Sequence, residues 1–168
     1  MKLQLVKCIQ NLAMTNSEYI NTVLHCIKHE TIAFLQNDML LTIEDINVIK
    51  ENLLKDNTSS IELKSDMKFT VIISIDNQLF NFLFNKFFTQ KLEELEKKEL
   101  EDVFSDEIIN IVVGLAIRYF PKELNDFDLS VPYKLNEDNI EKLLNKNISQ
   151  SLNLKTNNGS FIYTVIYN

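Results

Sequence analysis

Residues Asp102 to Phe120 read DVFSDEIINIVVGLAIRYF. Most positions are apolar whichever way a helix is turned, so the segment predicts a helix buried on most sides. Ser105 or Asp102 can start it, and Pro121 stops it near Phe120, because proline lacks the backbone donor that a further turn needs. The polar exceptions are Asp106, Glu107, Asn110, Gly114 and Arg118. Glu107, Asn110, Gly114 and Arg118 follow one another at intervals of three, four and four, which puts them on one stripe. A largely buried helix therefore shows a single polar seam. Glycine inside a helix costs about 1 kcal/mol relative to alanine. This chain holds only two glycines, and one of them sits in the seam. Its position predicts a close approach, either by a partner or by a neighbouring helix.

Working outward, KLEELEKKELED over Lys91–Asp102 reads as a solvated helix face with Glu/Lys pairs one turn apart. Before it, Asp76 caps a helix carrying Leu79, Phe80, Phe82, Leu83, Phe84, Phe87 and Phe88, whose rings are expected in the core. Phe69 to Ile75 is rich in β-branched residues and reads as a buried strand. It is joined through a tight turn at Ser65-Asp66 to a strand around Ile61 and Leu63, forming an antiparallel hairpin. Nearer the start, Ser17 is the expected N-cap of a helix over 18–36, with Ile20, Val23, Leu24, Ile27, Thr31, Phe34 and Leu35 on one face. Thr42 is read as the cap of a second helix with Ile43, Ile46, Ile49, Leu53 and Leu54 in register, and Met1–Ile9 as a short strand or extended lead-in. Beyond Pro121, Phe127, Leu129, Val131, Tyr133 and Leu135 alternate as a strand that Pro132 confines to an edge or a bulge. A short helix over 137–147 follows. Two strands, around Leu152–Leu154 and Phe161–Tyr167, are joined by Asn157-Asn158-Gly159-Ser160, a hairpin signal.

The whole reads as an α/β chain of the α+β kind, a mainly antiparallel sheet with long helices packed on it, in one domain over residues 1–168. The composition, 45% hydrophobic and 24% charged, is that of a folded globular protein. The net charge of −7, without a basic cluster, argues against nucleic acid and against an anionic membrane surface, since both are bound through Lys and Arg. A protein partner fits better. Cys8 and Cys26, with no framework of spacings, suggest a reduced compartment. The first residues show no apolar run of signal-peptide length, and no stretch reaches the 18 apolar residues of a membrane span. The expected location is the cytoplasm.

Glu107-Ile108-Ile109-Asn110-Ile111-Val112-Val113-Gly114 resembles the signature helix of the CheC/CheX/FliY chemotaxis phosphatases: a Glu, two small or apolar residues, an Asn, three more apolar residues, then Gly. About one residue in eight is Asn, so Glu-x-x-Asn alone is weak, and two further copies exist at Glu18-Asn21 and Glu44-Asn47. Seven residues after those Glu stand His25 and Glu51, not Gly. The order of elements is similar to that of CheX over roughly residues 17–168.

The resemblance implies a phosphatase acting on the phosphoaspartate of a CheY-like response regulator in chemotaxis or related two-component signalling. The regulator would supply Mg²⁺, the acyl phosphate and its own Lys, and this chain would bind no cofactor and no metal. Glu107 and Asn110 are then the expected catalytic positions, with Gly114 and Asp106 among the partner-binding ones. Asn110 would orient the attacking water, Glu107 would pair with the regulator's Lys, and Gly114 would leave room for the regulator backbone. Arg118 stays outside that site, as a rim charge or a helix C-terminal cation. The family often has Asn after the motif Gly, where this chain has Leu115. It usually has glycines near the central hairpin, where this chain has Ser65-Asp66-Met67. Those departures motivate a second reading, a non-catalytic module for interaction or dimerisation in a signalling or flagellar-switch assembly. The resemblance also admits a homodimer paired through sheet edges. His25 and His29, four apart, have metal-binding spacing but lie opposite the apolar face and are expected to be solvated.

Overall fold

The computed structural model describes residues 14–49, 57–89, 92–124, 127–135 and 137–168. The expected strand over 1–9 lies outside these residues, as do Leu53 and Leu54. Helix α1 (Asn16–Ala33) comes first, followed by a π-helical turn at Phe34–Asp38. Then come β1 (Ile43–Ile49), β2 (Asn57–Lys64), β3 (Lys68–Ile75), α2 (Asn77–Phe87), α3 (Glu94–Ala116), β4 (Asp128–Leu129), α4 (Glu137–Lys146), β5 (Ile148–Thr156) and β6 (Gly159–Tyr167). The strands form one sheet in the order β1-β5-β6-β3-β2-β4, and every neighbouring pair is antiparallel. The α+β expectation, a mainly antiparallel sheet with long packed helices, is what the chain adopts.

The alternation within each central strand builds two layers. On β3, Phe69, Val71, Ile73 and Ile75 are fully buried, and Val71 and Ile73 stand opposite Val165 and Tyr163 of β6. That face carries the main core, to which α1, α2 and α3 contribute. Ile72 and Ile166 point the other way and are covered by Ile140 of α4, with Leu135, Leu143 and Leu144 around them. Phe80, Phe84 and Phe87 of α2 and Phe88 just after it surround Phe104 of α3, with ring centroids 5.3–5.9 Å from it; Phe80 and Phe84 are buried as expected, whereas Phe87 is exposed.

Caps and turns set the joints. Asp76 accepts a hydrogen bond from the Leu79 amide at 2.9 Å, capping α2, and its other oxygen accepts from the Ser160 amide at 2.6 Å. One carboxylate thus starts a helix and pins the β5–β6 hairpin. Gly159 in that hairpin has φ +124, and a Cβ there would collide with Asp76. Two residues after the π-helical turn, Leu40 has φ 59, a conformation costing roughly 1–2 kcal/mol for a non-glycine residue. The Leu41 amide then reaches back to the Leu35 carbonyl at 2.8 Å, and Leu41 drops into the core.

Four expectations need correction. The N-cap of α1 is Thr15, not Ser17. Thr15 and Glu18 form a reciprocal capping box, and the Thr15 amide donates to the Glu18 carboxylate at 2.6 Å. The stretch from Ile43 is an edge strand, not a helix: Ile46 stands opposite Leu154 and Val48 opposite Leu152. An Ile at every third position suits a helix face, but pairing with β5 satisfies the backbone of 43–49 instead. Thirdly, the charge run and the seam are one continuous helix, α3, so no helix starts at Asp102 or Ser105. Lastly, the strand expected from Phe127 is only Asp128–Leu129 plus a single bridge from Tyr133 to Ser60, because Pro132 has no amide to offer the ladder.

Candidate functional site on helix α3

Helix α3 rests on the sheet and beside α1 through Phe104, Ser105, Ile108, Ile109, Val112, Val113 and Ala116, all buried. Fully burying an Ile or Val contributes roughly 1.5–3 kcal/mol each. That outweighs the helix penalty of Gly114 several times over, so the helix holds through the motif. Glu94 and Glu96 in the first turn suit the positive end of the helix dipole. At the other end the helix tightens into a 3₁₀ turn at Ile117–Tyr119, and Phe120 leaves it in extended conformation just before Pro121.

The expected seam is on the surface. Glu107, Asn110, Gly114 and Arg118 are all exposed. Glu107 and Asn110 lie one turn apart, which in a helix brings their Cβ atoms within about 5–6 Å. Among the described residues neither side chain has a hydrogen-bond or ion-pair partner. An added Cβ at Gly114 would meet nothing within 4 Å. The glycine is therefore not required by packing inside this chain; it leaves open space one turn beyond Asn110. The arrangement is a carboxylate, an amide and a bare stretch of backbone, in line and facing out. An amide can accept from and donate to water at once, and a carboxylate can receive a cation.

Asp106 is placed differently. Its carboxylate accepts a hydrogen bond from the Ser59 hydroxyl of β2 at 2.5 Å. It lies beside the seam and ties α3 to the sheet, holding Glu107 and Asn110 at a set angle.

The other candidate groups have structural roles. Glu18 is taken up by the Thr15 capping box, whose backbone hydrogen bond lowers its pKa below the usual glutamate value. His25 and His29 are exposed, and His29 Nδ1 lies 3.1 Å from the Glu30 carboxylate. Among the described residues no group of three or more His, Cys, Asp and Glu is placed to hold a metal ion. Cys26 is buried and donates to the Tyr119 carbonyl at 3.4 Å. Burial pushes its thiol pKa up, the Glu30 carboxylate adding to the effect, so it is a poor nucleophile.

Glu30 is the residue that the sequence reading passed over. It is buried, within 3.8 Å of the Arg118 guanidinium. The available signal was an acid standing in the apolar stripe between Ile27 of α1 and Phe34 just after it.

A family model described as chemotaxis phosphatase CheX matches residues 57–153, a span that includes the whole Glu107–Gly114 motif. The chain belongs to the CheX family. Among solved structures it is similar to the chemotaxis protein CheX of Desulfovibrio desulfuricans, with a TM-score of 0.64 and 12% identity over 87% of this chain and 99% of that one. It is similar to CheX of Vibrio vulnificus, with a TM-score of 0.60 and 16% identity over 93% and 100%. A third likeness is to the CheX-CheY-BeF3-Mg2+ complex from Borrelia burgdorferi, with a TM-score of 0.57 and 19% identity over 89% and 96%. At these identities the likeness is one of fold. No curated protein matches the sequence. No helix of the described residues is long and apolar enough to cross a membrane.

Proposed function

We propose that this chain accelerates hydrolysis of the aspartyl phosphate on a CheY-like response regulator, with Asn110 and Glu107 as its catalytic residues. The observation that carries the reading is an exposed, unpartnered Glu107/Asn110 pair beside the open space at Gly114, on a helix otherwise buried. Membership of the CheX family supports it, and so does the likeness to a CheX captured with CheY.

The chemistry is positioning. Asn110 accepts a hydrogen bond from water with its amide oxygen and holds that water in line with the phosphorus. Neither step needs a shifted pKa. Glu107, one turn earlier, receives the regulator's Lys ammonium and draws it aside from the phosphate. Gly114 lets the regulator backbone come close. The regulator would bring its own Mg²⁺, which would neutralise charge on the phosphoryl oxygens. No covalent intermediate on this chain is required.

The same reading extends to a homodimer, for which β1 is a suitable surface: an edge strand with Ile46 and Val48 exposed.

The test is loss of phosphate from a radiolabelled CheY-like regulator with wild type, Glu107→Ala and Asn110→Ala. Acceleration by wild type that Asn110→Ala abolishes supports the proposal. Wild type that binds the phosphorylated regulator without speeding its decay makes the chain a non-catalytic interaction module.

A further inference from the structure

Glu30 is the single buried charged side chain among the described residues. Removing a carboxylate from water is costly unless it is well paired, and an apolar residue would fill the same place in α1 more cheaply. Its partners are both at the surface. His29 Nδ1 lies 3.1 Å from one carboxylate oxygen and Arg118 Nη2 lies 3.8 Å from the other, with the His29 and Arg118 side chains 61% and 62% exposed.

Arg118 is held from a second side as well: its Nε donates to the Leu115 carbonyl at 3.2 Å. Tyr119, 55% exposed, stands beside both of these side chains, 5.4 Å from the His29 ring and with the Arg118 guanidinium 5.9 Å from its own ring centroid. An arginine serving only the helix dipole needs none of this. The guanidinium has five donors, and these contacts leave most of them turned to solvent.

The position of this cluster gives it meaning. Glu96, Glu99 and Val103 precede Glu107 at intervals that keep them on the same stripe, and all three are exposed. From the start of α3 into the 3₁₀ turn that follows it, the stripe therefore runs acidic, apolar, acidic, neutral at Asn110 and Gly114, then basic at Arg118. We infer that this stripe is a polarised docking face, on which Arg118, held by Glu30 and flanked by Tyr119 and His29, anchors a surface carboxylate of the regulator. The anchor lies eight residues beyond Asn110, about 13 Å along the axis at roughly 1.5 Å per residue in α3 and about 2 Å in the 3₁₀ turn. Opposite charges at the two ends of the face set which way round the regulator docks. Tyr and Arg are also the side chains that most often dominate interface energetics. This inference rests on the proposed partner, not on the proposed chemistry, and the two are separable.

The experiment measures the salt dependence of affinity for a beryllofluoride-loaded regulator, and KM and kcat for the phosphorylated one. Wild type is compared with Arg118→Ala, Arg118→Glu, Arg118→Lys and Glu30→Gln, with Lys142→Ala on α4 as the control on the other sheet face. Expected are about a tenfold loss of affinity for Arg118→Ala, a larger loss for Arg118→Glu, partial recovery with Arg118→Lys and a flatter salt dependence in the first two. In an active wild type the same loss falls on KM, with kcat within about twofold. Glu30→Gln shifts affinity the same way by less, at unchanged fold by circular dichroism. If Arg118→Ala and Arg118→Glu bind within about twofold of a wild type that does bind, the inference fails while the catalytic reading stands. If wild type binds but does not hydrolyse, the catalytic reading fails and the affinities still decide Arg118. Wild type that binds no regulator overturns both.

Discussion

Glu18-x-x-Asn21 and Glu107-x-x-Asn110 have the same residues at the same spacing on two helices that pack side by side, yet they are not equivalent. Glu18 is the third residue of α1, within reach of backbone donors that no helical turn satisfies, and Thr15 captures it. Glu107 sits in the middle of α3, where every nearby amide is already bonded within the helix, so its carboxylate has nothing local to cap. A third copy, Glu44-Asn47, lies on β1, where a β-bulge between Ile43 and Asp45 interrupts the ladder and no helical turn stacks the two residues on one stripe. The lesson is that a short motif acquires chemistry from its place along an element, and that mid-helix is where a carboxylate stays free.

The comparison can be broken most directly by exchange of the Asn residues. Asn110→Ala is expected to lower the catalysed dephosphorylation rate about 100-fold, the loss typical of misplacing a reacting group, while Asn21→Ala leaves it unchanged. Equal losses in both would mean that α1 carries a second working site.

Gly114→Ala sharpens the point by separating stability from activity. With nothing within 4 Å of the new Cβ, the substitution should stabilise the fold by about 1 kcal/mol, read as a rise in Tm. The same methyl group stands where the partner backbone is to approach, so kcat/KM should fall. A stabilised protein with full activity would show that the open space is not used.

On α1 the expected pattern is the reverse. Thr15→Ala removes a cap and should cost about 1 kcal/mol of stability in chemical denaturation, with no effect on hydrolysis.

The smallest effect is in the acid limb. Because the Thr15 amide lowers the pKa of Glu18 in the folded chain, its contribution is present above the unfolded value of about 4.5 and is lost as pH falls through the lower folded value. The Tm difference between wild type and Glu18→Ala should therefore shrink below pH 4.5. The alkaline limb has the opposite sign. Burial raises Tyr133 from 10.0 to about 12, with the Glu62 carboxylate adding to it, so stability should decline as pH rises from about 10 towards 12.

Much of this was written in local pattern. The buried strand of Phe69–Ile75, the strand of Phe161–Tyr167, the Asp76 cap, the Asn157–Gly159 turn and the seam of α3 all depend on neighbours within one or two turns of chain, and all are found where they were expected. The capping box at Thr15 was legible too, as Thr-x-x-Glu, but Ser17 offered a competing hydroxyl. Where the pattern was ambiguous, contacts distant in sequence decided. Ile43, Ile46 and Ile49 fit either a helix face or a strand, and the free edge of β5 made them a strand. Nothing near Glu30 in the chain marks its partner, because Arg118, in the turn that follows α3, comes some ninety residues later.

The sequence by itself determined the two antiparallel hairpins, the buried strand from Phe69 and the line of Glu107, Asn110 and Gly114, because periodicity places side chains on faces without reference to the rest of the chain. Only the tertiary structure decided that this line faces solvent, that Asp106 is spent on Ser59 and that a buried carboxylate holds Arg118. Exposure and pairing depend on which surfaces the packing covers, and no single segment encodes that.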